Sequence, residues 1–147
     1  MSGSQKPLEL ILARNLLTSV TTPSLLVGRG GQLLFYNEAA GALLGRPFED
    51  VGQMAPDEWT RAFGPFEDDG SPTPIEDLPL TDALREGRPA HGEFRIRFSD
   101  GAYHRIAASA MPIVGGGDGA SGAMVIFWPV DDEKAREVTT GRHEVVR

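Results

Sequence analysis

The sequence predicts an α+β fold built on an antiparallel sheet, and three observations carry that expectation. Element signals run in the order helix, two strands, short helices, helix, three strands. Gly28-Arg29-Gly30-Gly31 and Ser99-Asp100-Gly101 have the composition of hairpin turns, which return the chain antiparallel. Met124-Val125-Ile126-Phe127-Trp128-Pro129-Val130 is apolar on both faces, as a strand covered on both sides must be, so the last strand is expected in the middle of the sheet.

The elements follow in order. Residues 7–20, PLELILARNLLTSV, read as a helix: Pro7 suits an early helical position, and Leu8, Ile11, Leu12, Leu16 and Val20 recur at roughly helical spacing. Thr21-Thr22-Pro23 ends it. Leu25-Leu26-Val27 and residues 32–36 flank the first turn as strands. Asn37 then suits a helix N-cap, because its side-chain oxygen can accept a free amide of the first turn. Ala39, Ala40, Leu43 and Leu44 share one helical stripe, and Gly45 is a stop signal.

Residues 46–77 are rich in Pro, Asp and Gly, and only short helical pieces such as Asp57–Phe63 fit there. Residues 78–86, LPLTDALRE, form a helix closed by Gly87. Glu93-Phe94-Arg95-Ile96-Arg97-Phe98 alternates apolar and charged, a strand with one buried face. Tyr103–Val114 is a long strand expected to break near Pro112, and Gly115–Gly122 is a glycine-rich loop. Pro129 is expected to end ladder pairing on its strand, since proline has no amide to donate. Residues 131–147 are charged, and Gly141 limits any helix there, so no long coiled coil is expected.

Phe35-Tyr36-Asn37-Glu38-Ala39-Ala40-Gly41-Ala42-Leu43-Leu44-Gly45 resembles the opening of a PAS domain, a sensory and dimerisation module. The resemblance extends over about residues 23–133. Pro79-Leu80 through Gly87 resembles the family's connecting helix, Glu93–Arg97 with Asp100-Gly101 its next strand and hairpin, and Ala108-Ser109-Ala110-Met111-Pro112-Ile113 its Ser-Ala-x-Pro-Ile strand end. It implies a five-stranded antiparallel sheet with helices on one face and an amphipathic N-terminal helix on the other. It also implies three parts: a helical cap over 1–22, the PAS-like domain over 23–131 and a charged tail or linker over 132–147. Family members usually leave the last strand through an Asp-Ile/Val-Thr motif; here the chain reads Pro129-Val130-Asp131, which departs from that linkage to a downstream signalling helix.

Composition narrows the chemistry. The net charge of −7 argues against nucleic acid or an anionic membrane as partner. No run is apolar enough to span a bilayer. The chain has no cysteine, which removes disulfides, thiolate catalysis and the cysteine-dependent flavin photochemistry of light-sensing relatives; it fits a cytoplasmic address. His91, His104 and His143 have no metal-ligand spacing. Haem-binding relatives carry their axial histidine on the helix before the third strand, where this chain has none. His91 falls just after that helix, so neither haem through His91 nor flavin is expected. No Gly-x-Ser-x-Gly elbow occurs, which disfavours a hydrolase.

Ile106, Ala108 and Ala110 share one strand face. In the implied fold that face looks toward the helices, and its alanines leave room either for close packing or for a ligand. Leu43, Leu84, Phe94, Ile96, Val125 and Phe127 join them as candidate ligand-binding residues, lining an apolar space suited to a lipid-like or aromatic molecule. The N-terminal helix has apolar residues on more than one stripe. Leu8, Ile11, Leu12 and Leu16, with Ile126 and Trp128 of the outer sheet face, are the candidate dimerisation surface. The functional expectation is a non-catalytic sensory or regulatory module that homodimerises, holds a small apolar ligand and acts on an output protein. A ligand-free adaptor and a small enzyme on an α+β cup stand as alternatives.

Overall fold

The computed structural model describes residues 8–115 and 119–130. Five strands, β1 (Ser24–Gly28), β2 (Leu33–Tyr36), β3 (Ala90–Arg97), β4 (Tyr103–Val114) and β5 (Ala120–Pro129), form one antiparallel sheet in the order β2-β1-β5-β4-β3. The last strand therefore lies in the middle, as its two apolar faces require. Five helices join them: α1 (Leu8–Leu17), α2 (Glu38–Leu44), α3 (Phe48–Val51), α4 (Pro56–Phe63) and α5 (Pro79–Glu86), with a 3₁₀ turn at Ile75–Asp77.

The corner after β2 is fixed by its caps. Asn37 Oδ1 accepts from the Ala40 amide at 3.0 Å and from the Ser24 amide at 3.0 Å, capping α2 and tying it to β1. Gly45 closes α2 at φ 90°, a left-handed conformation that costs a residue with a side chain about 1 kcal/mol. Helix α1 lies on the opposite side of the sheet from α5. In β5, Val125 and Phe127 face the other helices, so Gly122 faces α1, and a Cβ there would meet Leu10 at 3.0 Å. Leu10 and Leu17 are the buried residues of α1.

Several expectations change. Pro112 does not break β4: it pairs with Ala123, while β3 ends opposite Ala110, so no neighbour on that side asks for the missing amide. Pairing also runs one residue past Pro129, with the Val130 amide donating to Arg105 O at 2.9 Å. Alternate amides point to opposite neighbours. The Phe127 amide bonds Pro23 O on the β1 side, so position 129 faces beyond the end of β1, where proline loses nothing. Strand pairing resumes at Ala120, inside the expected glycine loop. His91, just after the helix in sequence, is the second residue of β3. Residues 46–77, besides the expected α4, contribute α3 and shield both sheet edges. Met54 exchanges two hydrogen bonds with Leu33 of β2, and Phe66 two with Arg95 of β3, blocking edge pairing at those points. The expected tail at 132–147 lies outside the described residues.

Candidate functional site

Between the sheet and α2, α4 and α5 lies an apolar cavity. About 80 Å³ is open to the centre of a water-sized sphere. Its floor is the sheet: Leu25 and Val27 of β1, Leu33 and Tyr36 of β2, Phe94 and Ile96 of β3, Ile106 and Ala108 of β4, Val125 and Phe127 of β5. Its roof comes from Leu44 of α2, Trp59 and Phe63 of α4, the Gly64-Pro65 link, and Leu78-Pro79-Leu80 at the start of α5. The small side chain of Ala108 helps open the space beside the larger ones.

Polar side-chain tips in the lining are engaged elsewhere. The Tyr36 hydroxyl donates to Arg46 O at 2.6 Å, and burial raises its pKa, which keeps it protonated as a donor. Trp59 Nε1 donates to Gly31 O at 2.9 Å. Both residues therefore present ring carbon to the cavity. Tyr36 is further held by edge-to-face contacts with Phe48 and Phe63, at ring-centre distances of 5.4 and 6.3 Å. Such a space favours apolar contents, because water needs two to four polar partners.

No family model matches the chain, and no curated protein matches it. Solved structures do. The PAS domain of Bordetella pertussis BvgS superposes with a TM-score of 0.55 at 14% identity, covering 92% of this chain and 99% of that one. The PAS domain of nitrogen regulation protein NR(II) from Vibrio parahaemolyticus gives 0.57 at 15% identity, over 81% and 98%. The fold is that of a PAS domain. A Rhodobacter sphaeroides LOV protein also matches, with a TM-score of 0.65 at 12% identity over 92% of this chain and 75% of that one.

Within this PAS fold, Phe94, Ile96, Ile106, Ala108, Val125 and Phe127 lie together on the cavity. Three candidate ligand-binding residues do not line it. Leu43 packs partly buried against the core, but its neighbour Leu44 is the α2 residue at the cavity. Leu84 lies a turn beyond the part of α5 that reaches it. Ala110 is fully buried, paired with Ala90 and with the lining residue Val125, but does not itself line the cavity. The residues missing from the sequence reading are chiefly Tyr36, Trp59, Phe63 and Pro65. Only their aromatic or rigid character marked them.

His91 pairs with Ser109, whereas Gly92 pairs with the cavity residue Ala108, so the His91 side chain faces away from the cavity and cannot ligate a haem inside it. His104 stacks on Phe98 and hydrogen-bonds Asp100 at 2.9 Å. The Asp100 carboxyl is held below its ordinary pKa, first by the Ala102 amide and then by His104. The polar tips of Tyr36 and Trp59 are engaged with backbone carbonyls and offer no hydrogen bond to the contents of the cavity. Among the described residues, no group of three His, Asp or Glu could hold a metal ion, and no helix is long and apolar enough to cross a membrane.

On α1, Leu8 (66%), Ile11 (45%), Leu12 (58%) and Leu16 (56%) are exposed, as is Trp128 (42%), while Ile126 is half-buried. Leu10 and Leu17 are the leucines that face inward.

Proposed function

We propose that this PAS domain is a sensory or regulatory module of signal transduction, without catalysis of its own, whose cavity takes a small apolar ligand. The observation that carries the reading is the cavity itself, floored by all five strands and offering carbon rather than hydrogen-bond partners. An uncharged aromatic or aliphatic molecule suits it; a charged metabolite would have to shed its hydration without compensation. The module acts as a homodimer in the cytoplasm. The exposed stripe Leu8, Ile11, Leu12 and Leu16 supports this, with Trp128 exposed on β5 as well, since exposed apolar patches mark interfaces. The signal leaves through surface or dimer changes toward an output protein.

Native mass spectrometry of the purified chain tests both parts at once. A dimer carrying a small apolar adduct is the expected species. A ligand-free dimer, unchanged in melting temperature by small apolar compounds, would favour a dimerisation adaptor instead.

A further inference from the structure

Helix α1 docks on the sheet along one side, with Ala13 partly buried against the core and Arg14 also 5.6 Å from the Phe48 ring centre. Of its residues, Leu10 and Leu17 are buried, Glu9 hydrogen-bonds Ser121, and the Arg14 guanidinium lies 4.4 Å from the Phe35 ring centre. At its C-terminal end stands the side-chain amide of Asn37. Nδ2 donates toward Leu17 O at 3.3 Å, Val20 O at 3.0 Å and Thr22 O at 3.0 Å. Two amide hydrogens thus serve three carbonyls, one of them in the last turn of α1, where helical carbonyls have no partner of their own. Asn37 is only 2% exposed, and Oδ1 of the same group holds the amides of Ser24 and Ala40. Its neighbours belong to the cavity wall: Tyr36 precedes it, and Ser24 precedes Leu25.

We propose that Asn37 is a joint coupling the contents of the cavity to the docking of α1 on the sheet. The inference rests on the cavity being a ligand site. A ligand that displaces Tyr36 or Leu25 moves the Asn37 backbone and its Ser24 contact together. The shared bonds from Nδ2 are the ones that yield, because the α2 cap is fixed within its own turn. Release loosens the C-terminal end of α1 and re-orients its exposed leucine stripe.

Hydrogen exchange of the full chain tests this, read at the amides of residues 12–17. Asn37→Asp keeps both acceptor bonds and remains a good N-cap, but sets an oxygen against three carbonyls. It should speed α1 exchange about tenfold while leaving β4 and β5 protected. Asn37→Ser, which also caps but cannot reach the carbonyls, stands in if Asn37→Asp does not fold. Toluene is the cavity probe, with saturable shifts at Phe94 and Phe127 reporting its binding. Ala108→Leu fills the space covalently and reports coupling independently, so failure of toluene to bind counts against the ligand reading alone. The proposal stands if toluene or Ala108→Leu alters α1 exchange severalfold in the wild type and not in Asn37→Asp. It falls if Asn37→Asp leaves α1 exchange within about twofold of wild type. It falls equally if cavity filling leaves α1 unchanged, or acts alike with and without the Asn37 amide.

Discussion

Ala108 and Gly122 are two small residues on neighbouring strands with opposite consequences for substitution. Ala108 borders open volume, so Ala108→Leu should enter it with little strain. A packed core would instead charge about 1–3 kcal/mol for the same change. Thermal melts should therefore place Ala108→Leu within about 1 kcal/mol of wild type, with loss of any apolar ligand. Gly122 has no such room. A Cβ there would lie 2.3 Å from Val27 O of the paired strand and 3.0 Å from Leu10 of α1. Gly122→Ala must push strand or helix aside, and denaturant unfolding should show a loss of at least about 2 kcal/mol. A Gly122→Ala protein as stable as wild type would mean that β1 and β5 part at Val27 O without cost.

At the scale of elements, α1 is tied at its N-terminal end by a titrating group. A hydrogen bond from the Ser121 hydroxyl is the main cause holding the Glu9 carboxyl below its ordinary pKa. A carboxyl whose folded pKa is lowered contributes stability above its unfolded pKa, and that contribution is lost as pH falls through the folded value. Wild type should therefore protect α1 better than Glu9→Gln at neutral pH. The two should begin to converge as pH falls through the ordinary carboxyl range of about 4 and meet only below the lowered folded value; exchange rates of α1 amides measured from pH 7 downward through pH 3 check this. The α1 helix also shows where sequence reading stops. Its apolar residues occupy more than one side, so periodicity could not tell Leu10 and Leu17 from the exposed Leu8, Ile11, Leu12 and Leu16. The choice is made by the sheet, where Gly122 leaves the space that Leu10 fills. By contrast, α2 was legible in full, because its Asn37 and Gly45 caps are local chemistry. The segment 46–77 was not. Its contributions to the cavity, Trp59, Phe63 and Pro65, are single contacts decided by tertiary packing, with no period to reveal them.

For the molecule as a whole, the exposed stripe of α1 sets the expected assembly. Removing residues 1–20 should convert a dimer into a monomer or an aggregate, because the deletion removes the stripe and uncovers the outer face at Leu26 and Met124. Sedimentation of the truncated chain decides; a well-behaved dimer would count against an α1 interface. The sheet order carries a different consequence. The β1–β2 and β3–β4 hairpins share no ladder, and β5 alone joins them. During synthesis the two hairpins leave the ribosome first, each with an open edge that nothing yet occupies. Until residues 120–129 emerge, neither half can complete the sheet, and both expose bonding groups that invite the wrong partner. A nascent chain stalled before Ala120 should thus be protease-sensitive and in need of a chaperone, and β5 is the strand that turns two fragments into a domain.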